Sequence, residues 1–362
     1  MRRREAAGDR RLQGKRKGFK DPMNGNLFNS ILDVIDNQAI FPNYLILENV
    51  PNILTVQNGK FWNYITSSLN KRNYEVSWRI LSPEDFGIPQ GRKRVYLVAS
   101  QVGLESFNWP EHENKDLDIS NFLEENPLES KKLSDVKEHA LELWSYFLNK
   151  ISISESITFP IWADEFGANY NFENSHPALL RNNLESDLKG SLGKPLVGVN
   201  GVYIRDNLPV YVRDGRKNIQ SWKKNYIRKN RQLYLNNKSW IDNWKNELEY
   251  LPISLRKFEW NCSGETRILN DKIIQFRPSG IRVKKKNSIP TLVAMNVTQT
   301  PYFPWLGRYM TVREGLALQG LDNIDYLSSS YGQNLKAIGN AVNSEVILKI
   351  SNNLLSEYEY ES

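Results

Sequence analysis

The chain has 362 residues and a formal net charge of +7, with a pI near 9.2. Its single cysteine excludes an internal disulfide and points to a reducing compartment. No apolar run approaches the roughly 20 residues that cross a bilayer, and Met1-Arg2-Arg3-Arg4-Glu5 has charge without the apolar stretch of a secretory signal.

Taken in chain order, residues 1–11 are arginine-rich and carry no structural pattern. Leu27, Ile31, Leu32, Ile35 and Ile40 then recur at roughly helical spacing. Tyr44-Leu45-Ile46-Leu47 is an apolar run that ends in Glu48-Asn49, the pattern of a buried parallel strand with a functional group at its carboxyl end. Phe61, Ile65 and Leu69 predict another helix, and 74–81 and 94–99 predict two further strands. Alternating strands and helices predict an α/β, doubly wound sheet whose ligands bind beyond the strand ends. Between 106 and 300 lie seven tryptophans: Trp109, Trp144, Trp162, Trp222, Trp240, Trp244 and Trp260. The stretch from Arg213 to Arg231 interleaves cations with rings, as a surface for phosphate contact and base stacking does, although a solvated basic helix has the same composition. Thr311-x-x-Glu314 reads as a capping box opening a helix, and a last helix is expected over 344–355.

Four stretches in order carry a resemblance: Leu45-Ile46-Leu47-Glu48-Asn49-Val50; Pro89-Gln90-Gly91-Arg92-Lys93-Arg94; Arg308 to Leu316 with Leu318-Gln319-Gly320; and Gly339-Asn340-Ala341-Val342. Together they resemble the DNA (cytosine-5)-methyltransferases of bacterial restriction-modification systems. Leu12 to Asp21 is similar to the loop behind the family's Pro-Cys-Gln, and Gly25-Asn26-Leu27-Phe28 to its next motif, without that motif's arginine. The resemblance implies a partial doubly wound (Rossmann-like) sheet over 12–105 and 301–362, interrupted by a mixed α+β target-recognition domain over 106–300. It also implies S-adenosylmethionine as cofactor and double-stranded DNA as partner, in the bacterial cytoplasm.

The implied chemistry assigns residues. Such enzymes add a thiolate to cytosine C6, which places negative charge on the ring and makes C5 nucleophilic. A carboxylic acid hydrogen-bonded to N3 relieves that charge, the role that similarity gives Glu48. Arg92 and Arg94, at i and i+2, share a face, and the expectation is Arg94 on the base and Arg92 as the clamp on a phosphate or on Glu48. Isolated, a Glu-Asn-Val or a basic strand end would signal only a strand terminus or solubility. Leu27, Asn340 and Ala341 are the cofactor-binding candidates. Asn343 stands where the family usually has proline. Gln90, Arg228, Lys229, Arg231, Arg277 and Arg282 are the DNA-contact candidates, the last two in a segment similar to the end of bacterial recognition domains.

The family's nucleophile has no counterpart here. Cys262, in Trp260-Asn261-Cys262-Ser263, has neither a preceding proline nor an adjacent base and reads as structural. His112, His139 and His176 are scattered without ligand spacing, so no metal is expected. The sequence therefore reads as a truncated enzyme or as one subunit of a split enzyme, with a separate polypeptide carrying the Pro-Cys-Gln and the glycine-rich cofactor turn. The alternatives are a non-catalytic DNA-binding subunit and an inactive remnant.

Overall fold

The computed structural model describes residues 27–174, 177–179, 187–196, 206–213, 218–293 and 299–356. The 12–21 loop, Gly25-Asn26, and the 214–217 part of the basic segment lie outside these. Two compact units form, one from 1–116 with 342–362 and the other from 117–341.

In the first unit, helix α1 (Leu27–Asp36) turns Phe28, Leu32 and Ile35 inward. Strand β1 (Tyr44–Asn49) follows, then a turn at Pro51–Leu54 and helix α2 (Lys60–Asn70). The approach to α2 passes through Gln57, Asn58 and Gly59, all at positive φ. Only at Gly59 is that left-handed backbone free of a side-chain penalty. Strands β2 (Glu75–Leu81) and β3 (Arg94–Ser100) complete a sheet of order β1-β3-β2. Both pairings are antiparallel, so β1 and β2, joined through α2, run the same way while β3 returns between them. The sequence alternation indicates the α/β layering but not this reversed strand. Helices α1 and α2 cover one face with an apolar core that includes Phe61, Ile65, Leu69 and Leu97. The C-terminal helix, Ser344–Leu355, seats Val346, Ile350 and Leu354 against Leu81, Tyr96 and Val98 on the other. The outer edge of β1 has no strand partner among the described residues.

The second unit holds helix α3 (Asp135–Lys150), strand β4 (Ile161–Trp162), helices α4 (Ser221–Asn236) and α5 (Lys238–Leu248), and strands β5 (Lys257–Asn261), β6 (Ile273–Arg277), β7 (Gly280–Lys284), β8 (Pro301–Phe303) and β9 (Arg308–Tyr309). Helices α6 (Val312–Ala317) and α7 (Tyr331–Asn340) follow, and the C-terminal helix of the first unit is α8. The sheet, in order β9-β8-β6-β7-β5-β4, is mixed, since β5 and β7 pair in parallel. Its last two strands, β8 and β9, lie beyond residue 300.

Most of the tryptophans of this unit are core. Trp144 is fully buried and stacks on Phe258 with ring centroids 4.7 Å apart, and Trp244 meets it edge-on at 5.2 Å. Such rings remove large apolar areas from water. Trp222, 52% exposed, is the exception. Arg277 pairs with Gly280, leaving Pro278-Ser279 as a two-residue loop. A Cβ at Gly280 would fall 2.8 Å from the Lys257 Cβ, so only glycine fits that approach.

The Thr311 capping box forms as the sequence indicates. Thr311 Oγ1 accepts from the Glu314 N–H at 3.1 Å, and the Glu314 carboxylate accepts from the Thr311 N–H at 2.8 Å. Glu314 also accepts from both terminal nitrogens of Arg308, at 2.7 and 3.0 Å. Both side chains are buried.

Candidate active site

Strand β1 ends where its sequence says it must. Val50 precedes Pro51, which drives it to an extended backbone, and the Asn49 Oδ1 accepts from the Val50 N–H at 2.9 Å. Glu48 is thereby left near the end of the strand, opposite Tyr96 of β3. Arg94 lies two residues before Tyr96, on the same pleat face, and its Nε comes within 2.8 Å of Glu48 Oε1. The side chains are only 14% and 20% exposed. Glu48 Oε1 is buried and takes no hydrogen bond from a described residue.

Arg92 is buried just ahead of β3. Burial pushes its guanidinium below the ordinary arginine range, Arg94 adds repulsion, and Glu48 opposes both. Tyr96 is 1% exposed, and burial, reinforced by Glu48, holds its phenol well above the usual value. Motif reading overlooks Tyr96, although its position two residues beyond Arg94 places it on the Glu48 face. Of the two arginines, Arg94 makes an ion pair with Glu48, aligned with it by the strand register, while Arg92 lies just ahead of the strand and feels the Glu48 charge as well. Gln90 is fully buried and therefore lies inside the fold.

Beside this cluster runs an apolar groove of about 290 Å³, walled by Leu27 and Phe28 of α1, Leu47 of β1 and Trp62 of α2, with Glu48 and Asn49 on its lining. Leu27 and Glu48 thus share one cavity. In the second unit, Asn340 is an exposed residue closing α7, and Ala341 caps that helix and lines a separate cavity of about 450 Å³. The last helix opens at Ser344, as expected, and Asn343 supplies its cap by accepting from the Val346 N–H at 3.3 Å. An asparagine in place of proline thus keeps the turn by capping it.

The basic candidates separate by environment. Arg228 is exposed and forms a two-pronged pair with Glu173 at 2.6 and 2.7 Å. Lys229 lies 5.3 Å from the Phe159 ring centroid and is exposed. Arg231 is turned inward. Its Nε donates to the fully buried Glu165 at 2.9 Å, one terminal nitrogen donates to the Tyr170 carbonyl at 3.0 Å, and its guanidinium covers the Tyr170 ring at 4.3 Å. Glu165 also accepts from the Tyr170 and Tyr211 hydroxyls. Burial pushes the Glu165 carboxyl up while Arg231 opposes that shift, so Arg231 is a structural cation. Arg282 pairs with Glu259 at 2.8 Å on the neighbouring strand. Arg277 stands at the end of β6, where burial, then Arg282, lowers its guanidinium below the usual range.

Cys262 is fully buried in the core of the second unit, and burial pushes its thiol up to about 12. A nucleophile needs the opposite. Iodoacetamide at neutral pH is expected to leave Cys262 unmodified in the folded chain and to alkylate it once urea unfolds the protein; rapid alkylation of the native chain would contradict the assignment.

The model of the C-5 cytosine-specific DNA methylase family matches residues 12–356. The type II methyltransferase M.AluI of Cellulosimicrobium cellulans is 25% identical over 403 aligned positions, covering 90% of this chain and 73% of that protein. M.HaeII of Haemophilus aegyptius is 34% identical over 161 positions, 44% of this chain and 47% of the relative. Among solved structures, the Entamoeba histolytica methyltransferase EhMeth aligns over 95% of this chain and 72% of its own at 18% identity, with a TM-score of 0.42. With the family match extending over nearly the whole sequence and across the Glu48 cluster, the chain belongs to the C-5 cytosine-specific DNA methylases.

Proposed function

We propose that this chain supplies the base-holding and proton-donating side of a DNA cytosine-5 methyltransferase in a restriction-modification system, and that the attacking thiol and the glycine-rich cofactor turn come from residues outside this sequence. The observation that carries the reading is the Glu48-Arg94 pair at the end of β1, with a buried carboxylate oxygen not taken up by any hydrogen bond from a described residue. A cytosine reaches such a site only when flipped out of the duplex. Glu48 then faces N3 and the exocyclic amine and delivers a proton toward N3 as negative charge develops on the ring. Arg94, 2.8 Å away, sets a positive charge beside the carboxyl. Arg92 contributes positive charge beside the base.

The groove fits the apolar part of S-adenosylmethionine, since Leu27, Phe28 and Trp62 give apolar walls beside the polar end of β1. Leu27 and Phe28 would hold it, with Asn340 and Ala341 as further candidates. When bound, S-adenosylmethionine supplies the electrophilic methyl group.

The outer edge of β1 supports a docked polypeptide. Among the described residues it is a strand edge without a partner beside an apolar groove, and such edges recruit a further strand. Co-expression with the front segment of a relative such as M.AluI, followed by size-exclusion chromatography, is expected to give a stable one-to-one complex. A folded, monomeric chain that ignores this segment would overturn the split-enzyme reading and favour an inactive remnant.

The proposal also requires duplex DNA binding whose affinity falls as salt rises, because phosphate contacts release counterions. DNA contact is kept to the exposed Arg228 and Lys229, with Arg277 and Arg282 as further candidates and Arg231 set aside. Replacing Arg228 and Lys229 with alanine is expected to weaken binding at all sequences and to lower the salt slope by about 1 for each phosphate no longer neutralised. An unchanged slope in fluorescence-anisotropy titrations would place this surface away from DNA.

A further inference from the structure

Helix α4 has a side that stays exposed. Ile227, Asn230, Leu233 and Tyr234 face the core. Trp222, Asn225, Lys229 and Gln232 are exposed or outward, and their spacing of three and four residues places them in one stripe. Arg228 flanks the stripe. The helix, SWKKNYIRKNRQLYLN, contains five basic residues and no acidic one over 16 residues. At about 1.5 Å per residue it is roughly 24 Å long, and its diameter suits a major groove about 12 Å wide.

The side-chain types on this stripe are unusual for a merely solvated helix, which favours Glu and Lys in alternating pairs. Asparagine and glutamine carry a donor and an acceptor side by side, matching the N6 and N7 edge of adenine. Gln232 donates one N–H to Asn236 at 2.8 Å, and its amide still has a carbonyl oxygen and a second N–H with which to meet a base edge. The Trp222 ring is propped by Tyr226 at 5.8 Å and by Trp162 at 6.3 Å, both edge-on. A large ring that is half exposed yet held costs little entropy to bring against an apolar group such as a thymine methyl.

We infer that this stripe of α4 is the base-reading surface of the protein, entering the major groove of duplex DNA with Asn225 and Gln232 on adenine edges, Trp222 against an apolar base edge, and Arg228 and Lys229 on the flanking phosphates. Glu173, which pairs with Arg228, is displaced by phosphate in that arrangement. The inference rests on the reading of the chain as the DNA-contacting part of a cytosine methyltransferase and adds which element selects the sequence.

The test uses the full chain and a pool of duplexes randomised over the central positions. Binding selection and sequencing of the wild-type chain give its preferred site. Titrations with that site and an unrelated duplex then measure the specificity ratio for Asn225→Ala, Gln232→Ala, the double variant and Trp222→Ala. Removing either amide from its adenine is expected to reduce the ratio roughly tenfold or more, with the relaxation confined to particular base positions and the salt slope maintained. Gln232→Lys, which also keeps the helix surface polar, is expected to shift one selected position from adenine toward guanine. An unchanged selection in the double variant, or a wild-type chain that selects no sequence while binding DNA, would overturn the inference and leave the DNA reading standing. Failure to bind any duplex would sink both.

Discussion

Glu48→Gln is expected to lower the methyl-transfer kcat of the complemented enzyme by roughly 10²-fold or more, the usual contribution of a positioned general acid, with little change in DNA affinity. The asymmetry follows from the chemistry. An amide preserves the size of Glu48 and can still hydrogen-bond to N3 and the exocyclic amine, but it cannot surrender a proton as charge develops on the ring. The ion pair with Arg94 at 2.8 Å is lost as a charge pair while its packing remains. Initial rates with tritiated S-adenosylmethionine, beside anisotropy titrations, separate the two effects. Equal losses in binding and turnover would reassign Glu48 to positioning, and an unchanged kcat would remove it from the mechanism.

Glu314→Ala is expected to destabilise the second unit by about 3–5 kcal/mol, the range found when one partner of a buried pair is removed. The carboxylate accepts from Arg308, from the Thr311 N–H and from the Glu124 N–H at 2.9 Å. Deleting it strands the 5% exposed Arg308 and opens the cap of α6. At about 2–4 °C per kcal/mol for a unit of this size, the tryptophan-fluorescence melting transition is expected to fall by roughly 10 °C. Glu314→Gln, which keeps acceptor oxygen but not charge, is expected to lose less. A transition within about 1 °C of the wild type for Glu314→Ala, a shift worth well under 1 kcal/mol, would show that the pair is dispensable.

These two sites are legible to different depths in the sequence. Local rules carry far: the apolar run ending in Glu48, the strands at 94–99 and 74–81, and the Thr311 box all appear within a residue or so of expectation, because each depends on side chains near one another in the chain. What escapes depends on partners distant in sequence. Arg231 looks like its neighbours Arg228 and Lys229, yet Glu165, 66 positions away, draws it inward. The arginine that meets Glu48 is chosen by the register of β1 against β3, which alternation alone does not specify. The abundance of rings suggests base stacking, but Trp144 and Trp244 belong to a core whose packing around Phe258 no composition reveals.

If the base-holding acid lies within this sequence and the catalytic thiol outside it, methylation requires residues that this sequence does not contain. The most direct test incubates the purified chain, alone and mixed with a front segment carrying Pro-Cys-Gln and the glycine-rich turn, with tritiated S-adenosylmethionine and mixed-sequence duplex DNA. The expected result is no label in cytosine C5 from the chain alone, label from the mixture, and its loss when the cysteine of the added segment becomes serine; Cys262→Ser in this chain leaves the label in place. Label from the chain alone, or loss of label on Cys262→Ser with the fold intact, would contradict this division of the active site.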